Sequence, residues 1–450
     1  MYDQRKNDTK ESEMSELEGL IDPTRLFEDL CRVEYLKAGF KEVKRNKGSP
    51  GIDRITISDF ESNLSEELRQ LQEELSNWSY KPSPVRRVEI PKPGGKGIRL
   101  LGVPTIKDRV VHATIKLLLE PIYEPLFSTN SYGFRPGRNQ RQAVESARQI
   151  VASGKPYVVD IDLSKFFDRI NHDRLISRLG ETVTDKRILR LIGIILRSGV
   201  MANGVVSPST EGAVQGSPLS PLLSNIVLDE LDKELERRGL EFCRFADDCN
   251  LFVKTSKAAH RVMSSVCHFI ETKLKLLVNQ EKSQVARSEQ VKFLAMTVVG
   301  DTIAISRKAL QSAMDTVKEL TPRGTSSTLE YTMKEINKWY TGWSSYFAMT
   351  YYPAQLKRVE AHIRRRLRSR IIDQQKRDRN LYNKLIKRGV TRGLAGNTVY
   401  SNRARWSLSH TKAMELAYPN SWFINNQKQV IRSDKELPHW FGVGKWIKLA

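Results

Sequence analysis

Two short acidic clusters are where this chain could do chemistry. "RFADD" sets Asp247 and Asp248 side by side between apolar stretches, and "DIDLSKFFD" sets Asp160, Asp162 and Asp168 at the end of an apolar run. Aspartate is depleted in strands, and adjacent carboxylates repel unless a cation lies between them. Asp160 and Asp162 are two apart, so in an extended strand they share a face. If neighbouring strands of one sheet bring Asp162 beside Asp247 and Asp248, three hard oxygen ligands converge. Such a set suits Mg²⁺ held partly by the phosphate oxygens of a substrate. Two such ions about 4 Å apart would activate an attacking oxygen and stabilise a leaving one in an in-line phosphoryl displacement. The competing reading is a solvated Asp-Asp turn between two strands. The apolar flanks and the second carboxylate strand upstream favour the metal.

The elements around these clusters are of mixed type. "YVVDIDLSKFF" starts as a buried strand. "VRRVEI" and "IRLLGV" flank the Gly/Pro-rich turn of 90–104 as the arms of a hairpin, and "NKGSPGID" is a second such turn. "SPLSPLLSNIVLDELDKELERRG" predicts a helix with Ser217 as N-cap, Pro218 in the first turn and Gly239 as the stop. Its Leu222, Leu223, Ile226, Leu231 and Leu235 keep to one face. Short strands then bracket Asp247 and Asp248, followed by a helix from about Ala258 to Leu277 with Val262, Val266, Phe269, Ile270 and Leu274 inward. The order is that of an α+β fold. Beyond Ser306 the strand signals fade into long helical patterns.

Composition sets the partner class. The 450 residues hold 74 Lys and Arg against 52 acidic side chains, a net charge of +22 that favours a polyanion. No run approaches the roughly 20 apolar residues that cross a bilayer, so a membrane partner is not expected. The polar opening, "MYDQRKNDTKESEMSELEGL", predicts no signal peptide and a loosely docked lead-in over 1–22. Cys31, Cys243, Cys249 and Cys267 form no CxxC pair, which argues against a zinc site or a disulfide framework and for reduced thiols in the cytoplasm.

"RFADD", "VVDIDLSKFFDRINHD", "VQGSPLSPLLSNIVLDELDKELE", "SYGFRPGRNQRQAV" and "NQEKSQV" together resemble the reverse transcriptases encoded by bacterial group II introns, in that family's order and spacing. The resemblance extends through "NKGSPGID", "RRVEIPKPGGKGIRLLGVPTIKDR" and "INKWYTGWSSYF", over roughly residues 25–425. It implies a right-hand polymerase whose fingers and palm span 23–305, whose palm carries an antiparallel sheet, and whose thumb and all-helical basic maturase domain span 306–425. A tail of 426–450 would follow, with no HNH endonuclease.

The resemblance also implies roles. Asp162, Asp247 and Asp248 would be catalytic and bind two Mg²⁺ ions, with Mn²⁺ as an alternative. Phe167 would be the aromatic gate beneath the sugar, where a 2′-hydroxyl would clash. Lys92, Arg99 and Arg86 would grip the triphosphate, Gln215 would lie against the nascent base pair, and Lys282 would assist departure of pyrophosphate. Each basic residue could equally be a solvated side chain, and Phe167 a core aromatic. The chain departs from the family pattern at Val214, Ser217, Phe245, Ala295 and Met296, the last two standing where FLGF is usual.

Positive charge is densest from Ala354 to Lys412, where 17 Lys or Arg face three acidic residues. There Val359, Ile363, Leu367 and Ile371 form an apolar stripe, and Arg364, Arg365, Arg366, Arg368 and Arg370 occupy the remaining faces, expected on solvent or phosphate. Trp339, Trp343, Tyr346 and Phe347 predict an aromatic core seam in preference to base stacking. The implied function is RNA-directed DNA synthesis with an RNA template, a DNA or RNA primer, dNTPs and structured intron RNA as partners, in the bacterial cytoplasm with the nucleoid or a ribonucleoprotein. The alternatives are a related polymerase recruited to DNA repair, spacer acquisition or phage defence, and a non-catalytic RNA-binding splicing factor.

Overall fold

The computed structural model describes residues 22–91, 97–202, 205–207, 211–322 and 324–425. The expected lead-in, the tail of 426–450 and Lys92 lie outside them, apart from Asp22 at the lead-in's edge. The chain divides into two compact units between Arg287 and Ser288.

In the first unit, β1 (Val85–Pro91) and β2 (Ile98–Val103) form the expected antiparallel hairpin. Next to β1 runs β4 (Val200–Ala202), parallel to it and paired in turn with β5 (Val205–Ser207). The second sheet has the order β6-β7-β3-β8, all antiparallel: β3 (Tyr157–Ile161) lies between β7 (Asp248–Val253) and β8 (Gln284–Arg287), and β6 (Glu241–Phe245) is at the edge. Val158, Val159 and Ile161 of β3 and Cys249, Leu251 and Phe252 of β7 are buried on both faces. That is why these strands are apolar runs and do not alternate.

Helices cover the sheet. Gln140–Ala152 opens on an Asn139/Gln142 capping box, and Ser256–Phe269 on a Thr255 cap. The predicted helix after the "QGSP" loop is Ser220–Arg237, starting two residues later than expected. Pro221, not Pro218, sits in its first turn, and Leu219 stands at the N-cap position. Ser217 is not a cap. Its buried hydroxyl accepts from Leu219 N–H at 3.3 Å and lies 3.0 Å from His112 Nδ1, an environment that local sequence does not reveal. Gly239 follows the helix at φ +65 as a stop requires.

Among its described residues the second unit is helical except for the hairpin of β9 (Met296–Val299) and β10 (Thr302–Ile305). Gln355 ties this hairpin to the long helix Pro353–Asp373, its side chain accepting from Ile305 N–H at 2.8 Å and donating to Ile305 O at 3.0 Å. Val359, Ile363, Leu367 and Ile371 lie buried along that helix as the spacing predicts. Trp339, Tyr340, Trp343, Tyr346 and Phe347 stack along helix Leu329–Phe347, with Tyr340 and Phe347 buried: a core seam.

Candidate active site

The register of β3 on β7 ends with Ile161 paired to Cys249, so Asp162 is the first residue past β3 and Asp248 the residue before Cys249 on the neighbouring strand. The β6–β7 hairpin closes through Ala246 and Asp247, since Phe245 pairs with Asp248. Ala246 takes φ +56, a left-handed conformation that costs a residue with a Cβ about 1–2 kcal/mol. Asp247 therefore sits in the turn and Asp248 opens β7, so the competing reading of an Asp-Asp turn holds for the first of the pair only. Nor are both side chains in water, because Asp247 is half-buried and only Asp248 is exposed.

Burial raises the Asp247 carboxyl above the usual range and the nearby Asp162 carboxylate adds to the rise, while its own backbone N–H, Arg99 and Arg244 pull it down. Asp162 is clamped by the "NQEKSQ" loop: Asn279 N–H donates to its carbonyl at 2.8 Å, its N–H donates to Ser283 Oγ at 3.0 Å, and Lys282 Nζ lies 3.6 Å from Oδ1. Like charges held together on a rigid sheet end fit a divalent cation. Among the described residues no three acidic, His or Cys groups form a ready-made metal cage. The donor set suits an open site in which substrate oxygens complete the coordination.

A buried network that sequence reasoning missed holds this turn. Arg244 donates Nη1 to the Ala246 carbonyl at 2.9 Å and to Asn225 Oδ1 at 3.0 Å, and pairs through Nε and Nη2 with both Asp232 oxygens at 2.7 and 2.6 Å. Asn225 passes the link to the Gly133 carbonyl at 2.9 Å. A Cβ on Gly133 would fall 2.2 Å from Ala246 N, so "SYGF" needs glycine to lie against the turn. The available signal was an arginine inside an apolar strand, with Asp232 and Asn225 on the helix before it.

The polymerase-type contacts expected around the acids are distributed unevenly. Arg99 stands exposed on β2, near enough to Asp247 to lower its carboxyl. Arg86 donates to the Pro50 carbonyl at 3.2 and 2.8 Å, so its fork holds the "NKGSPGID" loop. Phe167 is half-buried, edge-on to Phe166 at 5.3 Å and packed on the core, and its carbonyl accepts from Ala213 N–H at 2.7 Å. Two residues after Ala213, the Gln215 carbonyl accepts from Gly102 N–H at 2.7 Å. A Cβ on Gly216 would meet Gly102 O at 2.4 Å, so the "QG" loop presses directly on β2.

The arginine run of the second unit is a correction to the expected solvated faces. Arg366 is buried and donates Nε to Thr321 Oγ1 at 2.7 Å and Nη2 to Thr321 O at 2.5 Å. Arg368, also buried, donates to Tyr418 O at 2.9 Å and Asn420 Oδ1 at 3.1 Å, and buried Arg370 donates to Ser327 O at 2.9 Å. Arg364 pairs with Glu360 at 3.2 Å, and Arg365 stacks over Trp406. A planar fork with five donors satisfies the carbonyls that end helices and loops, and its aliphatic stem packs in the core.

Comparison with known proteins places both units. Residues 90–298 match the family model described as reverse transcriptase (RNA-dependent DNA polymerase), and residues 310–389 match the group II intron maturase-specific domain. The protein YkfC of Escherichia coli (strain K12) is 32% identical over 301 residues, covering 58% of this chain and 79% of YkfC. The chain belongs to the group II intron reverse transcriptase/maturase family. The group II intron-encoded protein LtrA of Lactococcus lactis subsp. cremoris is 31% identical over 270 residues, 60% of this chain but 44% of LtrA. A chain of the structure of telomerase from Candida albicans with a telomeric RNA fragment aligns over 76% of this chain and 67% of that one at 12% identity and TM-score 0.41, too loose a likeness to argue from. As a member of this family the chain is an RNA-directed DNA polymerase with an α+β polymerase domain followed by a helical one. The family depends on divalent metal, and no helix among the described residues is long and apolar enough to cross a membrane.

Proposed function

We propose that Asp162, Asp247 and Asp248 are the catalytic carboxylates of this polymerase, holding two Mg²⁺ ions, with Mn²⁺ as a substitute, while it copies an RNA template from a DNA or RNA primer with dNTPs. What supports this is the β3–β7 register, whose last pair, Ile161 with Cys249, immediately precedes Asp162 on one strand and follows Asp248 on the other, with the Asp162 carboxylate near enough to raise that of Asp247. When bound, the ions would supply Lewis-acid activation of the primer hydroxyl and charge stabilisation on the phosphates.

The chain's own groups do the rest. The sheet end would keep the carboxylates close, and Lys282, 3.6 Å from Asp162, would be a cation for the departing pyrophosphate. Arg99 on β2, and Lys92 by the family resemblance alone, would hold phosphates, and Arg86 would stiffen the Pro50 loop. Phe167 would exclude a 2′-hydroxyl, and the loop of Gln215 would support the nascent pair through its bond to β2. Fingers and palm would span 23–305, with thumb and maturase domain over 306–425. The second unit would bind structured intron RNA and assist its splicing, in a cytoplasmic ribonucleoprotein.

Primer extension on an RNA template with dNTPs and Mg²⁺ tests the site. Asp162→Asn should cut the rate by about a thousandfold or more, and undiminished synthesis would remove the assignment. Splicing of the cognate intron RNA should be indifferent to the same change, because that role needs RNA binding and not the carboxylate.

A further inference from the structure

Phe134, in the "SYGF" segment, combines two features that cost stability. Its ring is 47% exposed to solvent, and its backbone takes φ +59, the left-handed conformation that a Cβ disfavours. Trp78 is also exposed at positive φ, but its ring stacks on Phe27 at 4.8 Å with Arg190 over it at 4.7 Å. Among the described residues no ring or guanidinium covers Phe134 in that way.

The fold anchors this residue on both sides. Before it, Gly133 lies with no room for a Cβ, which would fall 2.2 Å from Ala246 N and 2.9 Å from the Phe245 carbonyl carbon. The Gly133 carbonyl accepts from Asn225 at 2.9 Å, and Tyr132 N–H donates to the Arg244 carbonyl at 2.9 Å. After it, buried Arg135 donates Nε to both Glu124 carboxylate oxygens at 3.0 Å, Nη2 to the Glu124 carbonyl at 3.2 Å and Nη1 to the Ser131 carbonyl at 2.9 Å. Strain that anchored neighbours impose on a single residue is characteristic of functional positions. The Phe134 Cα lies roughly 3.8 Å along the chain from that of Gly133. Because Gly133 abuts the turn that carries Asp247, the residue stands at the acid end of the β6-β7-β3-β8 sheet.

A duplex whose primer end reaches Asp247 comes beside this residue. An RNA–DNA duplex is A-form, with a wide, shallow minor groove lined by sugars. A phenyl ring has no donor or acceptor, so it reads no sequence and makes no phosphate contact, and its flat apolar face suits the faces of sugars. We infer that Phe134 packs against the sugars of the last base pairs of the RNA–DNA duplex and holds the primer end over the carboxylates. The choice of ligand rests on the reading of Asp162, Asp247 and Asp248 as the catalytic site; the strain and exposure of Phe134 do not.

The test measures binding of the full-length chain to an RNA template annealed to a DNA primer, at several salt concentrations, beside binding of the same RNA unpaired. Phe134→Ala should weaken duplex binding by about tenfold and leave the slope of log Kd against log salt unchanged, because no phosphate contact is lost. Phe134→Trp should restore most of the affinity. Phe134→Gly relieves the left-handed strain, so it should melt at or above the temperature of the unaltered chain and still bind as weakly as Phe134→Ala. A merely structural residue would not separate stability from affinity in that way. In primer extension the loss should fall on the KM for duplex more than on kcat, with the KM for dNTP unchanged. Unimpaired duplex binding by Phe134→Ala and Phe134→Gly, or an altered salt slope, would overturn the proposal. A loss as large on unpaired RNA as on duplex would overturn the duplex as the ligand. Phe134→Ala made in an Asp247→Asn chain should weaken duplex binding by the same factor. Absence of extension from the unaltered chain would count against the catalytic site and leave Phe134 to be decided by the binding measurements.

Discussion

Arg244 and Asp232 form an ion pair that solvent does not reach: both side chains are fully buried, with their closest atoms 2.6 Å apart. The same guanidinium holds the Ala246 carbonyl, the last backbone group before Asp247. A buried pair gains little over a well-packed apolar pair, but removing one partner strands the other charge, at about 3–5 kcal/mol. Arg244→Met should therefore lower the unfolding free energy obtained from a urea titration by that amount. Arg244→Lys should recover only part of it, because a point charge cannot serve Asp232, Asn225 and Ala246 together. Equal stability of Arg244→Met and the unaltered chain would show that the pair does not hold the turn.

Leu294 and Ala295 form the two-residue turn between Phe293 and Met296, with φ of +49 and +66. The family's usual glycine at the second position fits that conformation, and the alanine here is strained. Ala295→Gly should stabilise the second unit by about 1 kcal/mol, read as a rise in its melting temperature. A fall would mean that the alanine methyl packs usefully.

His112 is fully buried, and burial with Arg109 alongside lowers its pKa from 6.5 to about 3. The unfolded chain then binds a proton that the folded one refuses, so this group's contribution to stability falls as pH drops below about 6.5 and goes on falling to about 3. The slope is at most about 1.4 kcal/mol per pH unit. His112→Asn keeps a side-chain acceptor for Ser217 and does not titrate, so its urea midpoint should fall less between pH 7 and pH 5. Parallel losses in the two chains would contradict this.

Gly216 has φ +119 and no room for a Cβ against Gly102 O. Gly216→Ala should push the "QG" loop off β2, costing about 1–3 kcal/mol and lowering polymerase activity more than stability alone explains. Full activity at a temperature where the variant is folded would show that the loop contact is dispensable.

The strands of the palm sheet were legible because burial on both faces makes apolar runs, and the acids stood out as the one chemical type that such runs exclude. Asp162 was separable from Asp160 by the family register alone; in the fold Asp160 sits within the sheet, taking a 3.3 Å hydrogen bond from Gln284, while Asp162 stands past the strand end. What stayed illegible depends on distant partners. Arg366, Arg368 and Arg370 look like surface in a one-dimensional pattern because the carbonyls they satisfy lie 43 to 50 residues away in sequence. Ser217 looks like a helix cap because local rules cannot see His112 across the core.

The central claim is that the Asp162–Asp247 juxtaposition exists for catalysis and not for folding. Asp247→Asn removes a raised, half-buried carboxylate from beside a like charge, so it should leave the unfolding free energy from a urea titration unchanged or raise it by up to about 1 kcal/mol. The same variant should lose about a thousandfold or more in Mg²⁺-dependent primer extension on an RNA template. A variant that still extends the primer at the rate of the unaltered chain would contradict the account.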